Sequence, residues 1–514
     1  MYGAATLWDL VERRAASSPD ARVLFDESDA SLTFAGLRDA AERRAAALRA
    51  IGVERDVVVS WQLPTRIDTI VTLLALSRLG AVQNPILHLY REREVRFAMA
   101  QLRPAIVLTP ERWGGFEYGA MARALADELA LPTRVVDPAT LSDTDDPSTL
   151  PPAPIASDGD EVRWIYYTSG TTADPKGVRH TDRTLLAGGE GLARAIGYTA
   201  GDVGSIAFPF AHIAGPDYLV LMLVSGCSSA IVERFVPSEA VAFFRRTGVT
   251  VAGGSTAFYS LFLDEQRRSG DSAPVIPTLR VLSGGGASKP PALYDAVQRE
   301  LGVPILHGYG MTEVPMIAMG CFAHSHEQLA FTDGTPVTGA EVRIVGSDGV
   351  VLPADADGEI CVRGPLVCKG YTDVEQTATA FDDDGFFHTG DLGHLRADGH
   401  LVVTGRLKDV IIRKGENISA REIEDVLVAH PKVRDAAVIG LPDPERGERV
   451  CAVVELAETA APLTFAEMVD TCRAAGLMQQ KIPEQLEIVE ALPRNDTLQK
   501  VVKQELRRRF ESPV

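Results

Sequence analysis

At 514 residues the chain is too long for one ordinary hydrophobic core, so two or more domains are expected. A hydrophobic content of 46% with 24% charged residues is that of a globular protein, which excludes a disordered chain. The formal net charge of −19 argues against a general nucleic-acid binder, because phosphate contact needs a basic surface, yet it leaves room for a local positive pocket. The early segments alternate between helix and strand. Phe34 to Ile51 reads as an amphipathic helix, Val57 to Trp61 as a buried strand, Ile67 to Leu79 as a helix closed by Gly80, and Ala105 to Thr109 as a further strand. Such alternation predicts a layered α/β body with a mostly parallel sheet. His88 and the Arg91–Glu94 run read as a solvated helix face. Residues 132–161, rich in Pro, Asp and Ser, read as a long surface connection.

The strand-prone run Val162 to Tyr167 breaks into Thr168-Ser169-Gly170-Thr171-Thr172-Ala173-Asp174-Pro175-Lys176-Gly177. Glycines that turn backbone N–H groups inward, short hydroxyls and one lysine suit a polyphosphate. It is not a Walker loop, since the spacing is wrong and Gly177 follows the lysine. Composition alone would also fit a plain surface turn.

Ile206 to Gly215 begins as a strand and ends in a turn carrying His212. Val249–Gly254 and Leu279–Ala287 are strands that run into glycine; Gly285, Gly286 and Ala287 would let a flat ligand approach the backbone. Then come His307-Gly308-Tyr309-Gly310-Met311-Thr312-Glu313, His388-Thr389-Gly390-Asp391 and Gly405-Arg406-Leu407-Lys408-Asp409. Beyond the basic turn Arg413–Ile418, Ser419-Ala420-Arg421-Glu422 reads as a capping box opening a helix. Strands Ala436–Ile439 and Val450–Leu456 follow, separated by Pro442-Asp443-Pro444. The six cysteines show no CxxC spacing and read as buried thiols, while Asp9, Glu12, Arg13 and Arg14 interrupt any signal peptide. With no apolar run long enough to span a bilayer, a cytoplasmic protein is expected.

Together the Tyr-Thr-Ser-Gly-Thr-Thr loop, the Tyr309–Glu313 segment and the Thr389-Gly390-Asp391 segment, in that order, resemble the signatures of the adenylate-forming superfamily. Among its members the chain is most similar to acyl-CoA synthetases, in particular the medium-chain and alicyclic carboxylate ligases. The resemblance implies a large N-terminal α/β domain of several sheets (1–406) and a small, mobile C-terminal α+β lid (407–514). It implies ATP, Mg²⁺, coenzyme A and a carboxylic acid as reactants. Thr168, Ser169, Gly170, Thr171, Thr172 and Lys176 would hold the β- and γ-phosphates, with Gly285, Gly286, Ala287 and Gly310 also at the nucleotide. Tyr309 would offer adenine a face, Thr312 the α-phosphate a hydroxyl, and Glu313 an oxygen to Mg²⁺. Asp391 would accept from the ribose hydroxyls, Arg406 would add a charge, and His212 would line the carboxylate pocket. Acetyl-CoA synthetases carry tryptophan where Gly310 stands, so glycine implies a larger acyl group. Lys408 would be the hinge about which the lid swings Gly415 and Glu416 toward CoA.

The family's usual ending, Pro-Arg-Thr-x-x-Gly-Lys, is altered here to Pro493-Arg494-Asn495-Asp496-Thr497-Leu498-Gln499-Lys500. Lys500 becomes the catalytic lysine after a one-residue insertion; without a gap, Gln499 takes the place. Alternative readings are transfer to a carrier protein, an amine or nitrite, or a non-catalytic nucleotide-binding regulator. Asp217 keeps an amine-bearing substrate in view. Oligomeric state, a homodimer included, is left open.

Overall fold

The computed structural model describes residues 3–142, 145–168, 175–413, 416–457, 461–494 and 501–511. The signature strand lies in a six-stranded sheet. Its order is Arg134–Val136, Ile106–Leu108, Val58–Trp61, Val82–Pro85, Val162–Thr168 and Lys176–Thr181. The pairings are parallel except the last, which is antiparallel and sets Tyr167 opposite Gly177 and Thr168 opposite Lys176. The hydroxyl-rich segment therefore joins the two strands of a hairpin.

A second sheet runs Val251–Gly254, Val281–Gly285 and Ile305–Met311 in parallel, then turns back through Val314–Met319 to Thr335–Pro336. The reversal places Thr312 and Glu313 at a hairpin end. A third sheet is antiparallel, of Glu341–Val345, Gly358–Arg363, Phe387–Leu395 and Leu401–Arg406, and its register sets Asp391 opposite Arg406. A four-stranded sheet of Ser31–Thr33, Arg22–Asp26, Ser228–Ile231 and Val203–Ile206 completes this part of the chain.

The main buried cluster runs from Leu7 to Leu401. From Ile411 onward a separate sheet is built on the hairpin Val433–Asp443 and Gly447–Leu456. Alternation along the hairpin gives it two buried faces: Val438, Val450 and Ala452 on one, Ile439, Leu441 and Cys451 on the other. The helix Ala420–Val428 covers the first face with Ile423 and Leu427, both fully buried. Each such side chain contributes about 1.5–3 kcal/mol on leaving water. Ser419 caps this helix by accepting from Glu422 N–H at 3.4 Å.

Several local expectations shift. Residues 132–161 are not featureless: Arg134–Val136 adds an edge strand, and three short 3₁₀ turns follow. Pro442 and Asp443 belong to the strand, not the turn, because the hairpin closes only at Gly447. Five cysteines are buried and Cys321 is half-buried; all six are unpaired. No described helix is long and apolar enough to cross a membrane.

Candidate functional site

The phosphate-side candidates begin at the hairpin Val162–Thr181. Thr168 and Lys176 face each other across its strands; Ser169, Gly170, Thr171 and Thr172 lie outside the described residues. Lys176 Nζ sits 4.8 Å above the Tyr371 ring, a cation–π contact. The strand is locked from the side: Thr372 N–H donates to Gly177 O at 2.7 Å, and Arg179 N–H to Gly370 O at 2.9 Å. Gly177 is glycine for a steric reason. A Cβ there would lie 2.6 Å from Thr372 Oγ1, inside any tolerable contact.

Tyr371 links this strand to the second sheet. Its hydroxyl donates to Glu313 Oε1 at 2.9 Å, and Glu313 is only 6% exposed. Burial pushes the Glu313 carboxyl up, opposed by the Tyr371 hydrogen bond and by the Lys176 charge. His180 braces the same turn, with Nε2 2.7 Å from Thr312 O and Nδ1 2.8 Å from Thr184 Oγ1. Because a carbonyl only accepts, Nε2 carries the proton; burial holds the imidazole neutral, its pKa lowered to about 4.

On the ribose side, Tyr309 OH donates to Asp391 Oδ2 at 2.7 Å, and Arg406 Nε lies 3.1 Å from Asp391 Oδ1. Arg406, expected to reach the ribose or phosphate, is thus paired with Asp391, with its side chain 46% exposed. The strand residues ahead of Asp391 are held by Glu359 on the neighbouring strand, which accepts Gly390 N–H at 3.0 Å and lies 2.8 Å from His388 Nδ1. Cys361 Sγ shares that imidazole nitrogen at 3.5 Å. Glu359, Cys361 and His388 are the group of three clustered metal-ligand types among the described residues, and Glu313 is not in it.

Gly285 ends the strand Val281–Gly285, and Gly286 turns with φ +84°, leading to half-buried Ala287. At Gly310 a Cβ would lie 2.2 Å from Pro315 O. The glycine is therefore required by the close return of the hairpin, so its presence does not by itself measure the acyl space. His212 precedes the helix Ala214–Ser225 and accepts Ala214 N–H on Nδ1 at 3.3 Å, so one ring nitrogen is spent on the turn. Asp217, in that helix, is 2% exposed, and its Oδ1 has no hydrogen-bond partner among the described residues. Burial pushes its carboxyl well above the usual range. Lys408 lies in the short 3₁₀ turn Leu407–Asp409 between the two sets of buried clusters, and burial lowers its pKa. Gly415, Gln499 and Lys500 lie outside the described residues; Glu416 is described as backbone in the strand Glu416–Ile418.

The structure thus brings Lys176 and Glu313 together on Tyr371, and Tyr309 and Arg406 together on Asp391. It adds Tyr371, Thr372 and His180, which sequence reasoning gave no role. Tyr371 and Thr372 fall in an irregular stretch with no periodic signal, and His180 stands at the motif's end where it reads as one more strand residue.

Residues 11–372 match the AMP-binding enzyme family, and residues 422–498 the AMP-binding enzyme C-terminal domain. The chain is 31% identical over 506 residues to the medium-chain fatty-acid–CoA ligase of Escherichia coli K12, covering 96% of this chain and 88% of that protein. It is 33% identical over 517 residues to the salicyl-AMP ligase / salicyl-S-ArCP synthetase of Mycobacterium tuberculosis, with the same coverage of 96% and 88%. Among solved structures, ATP-bound MatB from Rhodopseudomonas palustris superposes with a TM-score of 0.88 at 28% identity, over 98% of this chain and 99% of that one.

Proposed function

Because this chain belongs to the AMP-binding enzyme family and is an ATP-dependent acid–thiol ligase within it, we propose the residue roles that follow, with a medium-chain or alicyclic carboxylic acid as substrate. The observation that carries the reading is one hairpin, Ile305–Met319. It holds Tyr309 against Asp391 on one side and Glu313 against Tyr371, beside Lys176, on the other. Ribose-side and phosphate-side groups are thereby fixed to a single rigid element.

In the first half-reaction a carboxylate oxygen attacks the α-phosphorus in line. A new P–O bond forms, the α–β bridge breaks, and pyrophosphate leaves with the electron pair. In the second, the CoA sulfur attacks the acyl carbon, its proton passes to solvent, a C–S bond forms, and the acyl C–O bond breaks with AMP keeping the electron pair. Positioning and charge stabilisation carry most of the rate in such a transfer. Tyr309 lies against adenine, and Asp391, oriented by Tyr309 and Arg406, accepts from the ribose hydroxyls. Lys176 and the Thr168–Gly177 loop take the terminal phosphates, with Gly285, Gly286 and Ala287 along the nucleotide. Thr312, its backbone braced by His180, turns its hydroxyl to the α-phosphate, and His212 lines the carboxylate pocket. Glu313 suits Mg²⁺: one hard carboxylate shared with substrate phosphates is how that ion is ordinarily held, and the described residues build no cage around it. Mg²⁺ held by Glu313 would supply charge neutralisation for the phosphates.

Lys500 completes the adenylation site from the C-terminal part. The boundary is placed between 406 and 407 with Lys408 as hinge, supported by the gap between the buried clusters ending at Leu401 and beginning at Ile411. Rotation there exchanges Lys500 for Gly415 and Glu416, which then face CoA. Six unpaired thiols support a reducing, cytoplasmic setting.

A hydroxamate-trapping screen of carboxylic acids, repeated with CoA as acceptor, tests the reading. ATP-dependent trapping with a subset of acids, and CoA thioesters from the same subset, is the expected result. No turnover with any acid would instead make the chain a nucleotide-binding regulator. The salicyl-S-ArCP synthetase likeness supports a second reading, transfer to a carrier protein. Hydroxamates without CoA thioesters would favour it.

A further inference from the structure

We propose that Gln101 is the positioning residue of the phosphate-loop hairpin, holding both of its strands in register through a single amide oxygen. Gln101 lies in the last turn of the helix Glu92–Leu102. Its Oε1 accepts from Tyr167 OH at 2.5 Å and from Thr372 Oγ1 at 2.8 Å. Tyr167 is the penultimate residue of the outgoing strand and the cross-strand partner of Gly177. Thr372 packs over Gly177 and donates its N–H to Gly177 O at 2.7 Å. One acceptor therefore ties the outgoing strand directly and the returning strand through Thr372.

An amide carbonyl has two lone pairs, so both hydroxyls are served at once. One turn earlier on the same helix, Phe97 meets the Tyr167 ring edge-on, with centroids 5.9 Å apart. The helix thus grips Tyr167 by its ring and by its hydroxyl. Immediately before Thr372 in the chain, Tyr371 carries the contacts to Lys176 and Glu313. Gln101 is itself exposed, and what singles it out is that two hydroxyl donors from separate segments converge on its one amide oxygen. Gln101 acts through Thr168 and Lys176 and touches no reacting atom.

The inference rests on the reading that the Thr168–Gly177 loop grips the triphosphate, and Lys176→Ala tests that separately. With the full-length enzyme, KM for ATP and for pyrophosphate in the exchange reaction is measured beside the rate at which supplied acyl-AMP is converted to thioester. Gln101→Leu, which lacks an acceptor, is expected to raise both KM values by about tenfold and to leave the acyl-AMP reaction within about twofold, as loss of two hydrogen bonds predicts. Gln101→Glu keeps the acceptors and is expected to recover most of the loss. Tyr167→Phe should cost about threefold alone and nothing further in the Gln101→Leu background. If Lys176→Ala weakens ATP while Gln101→Leu does not, or if Gln101→Leu slows both half-reactions equally, Gln101 is not the positioning residue. If Lys176→Ala leaves ATP untouched, the loop reading falls and the proposal with it. Should Gln101→Leu fold poorly, Thr372→Val, which removes one donor, must still raise KM for ATP, and no rise would overturn the proposal.

Discussion

The two parts of the chain differ in what their polar groups tie together. Up to Arg406, candidate side chains are bound to one another across three sheets: Tyr309 to Asp391, Asp391 to Arg406, Glu313 to Tyr371, His180 to the Thr312 carbonyl. Beyond Lys408, the sheet is buried on both faces by its own residues, and among the described residues Ser419 Oγ reaches back to donate to Thr404 O at 2.6 Å. The first arrangement suits the proposed preorganised site, and the second, with a core of its own, suits the proposed mobile lid. A network of groups fixed before substrate arrives costs no reorganisation during reaction, while a self-contained small body suits a hinge.

The sharpest way to break the contrast lies at the far end of the chain. Lys500→Ala is expected to reduce adenylation by on the order of 10²–10³ while attack on preformed acyl-AMP continues, as removal of one preorganised charge predicts. Pyrophosphate exchange and thioester formation, assayed separately, give the answer. The same loss in Gln499→Ala, with Lys500→Ala active, would overturn the one-residue insertion.

Next in size is the hinge. Lys408→Pro, which restricts φ and removes a donor, is expected to slow thioester formation by about tenfold more than pyrophosphate exchange. Equal losses in the two half-reactions would remove the hinge assignment.

A smaller effect sharpens the large part's side of the comparison. Tyr371→Phe deletes the hydroxyl that lowers the Glu313 pKa against burial. The carboxyl pKa should rise further, so the ionised form that the proposed role of Glu313 requires appears only at higher pH. The acidic limb of the exchange profile should move to higher pH, with a loss of about two- to tenfold on that limb. An unmoved limb would mean that Glu313 does not act as a carboxylate there.

The smallest concerns stability. Asp217 is protonated more readily folded than unfolded, because burial disfavours its charge. A raised carboxyl means that the folded chain binds more protons, so stability falls as pH rises from the unfolded value of about 3.9 toward the folded one. Asp217→Asn should flatten that slope in urea titrations at several pH values. A slope identical to the parent's would show that Asp217 is solvated.

Much of the nucleotide region was legible beforehand because its chemistry is local: hydroxyls, glycines and a lysine in one loop, an acid after Thr-Gly. Strand and helix alternation likewise announced a layered α/β body. Gly310 shows the limit. Its meaning changed once Pro315 O was found where its Cβ would go, a contact set by how the hairpin closes.

By itself, then, the sequence determined the order of elements and the residue types at the site. Periodic burial and turn chemistry act over a few neighbouring residues, and short motifs carry their function in their spacing. Only the tertiary structure decided which distant side chains share a partner. Gln101 and Tyr167 are 66 residues apart, Gln101 and Thr372 271 apart, and Glu313 and Tyr371 58 apart. Contacts of that span leave no period to read, because they exist only where separate sheets and a helix end are packed together.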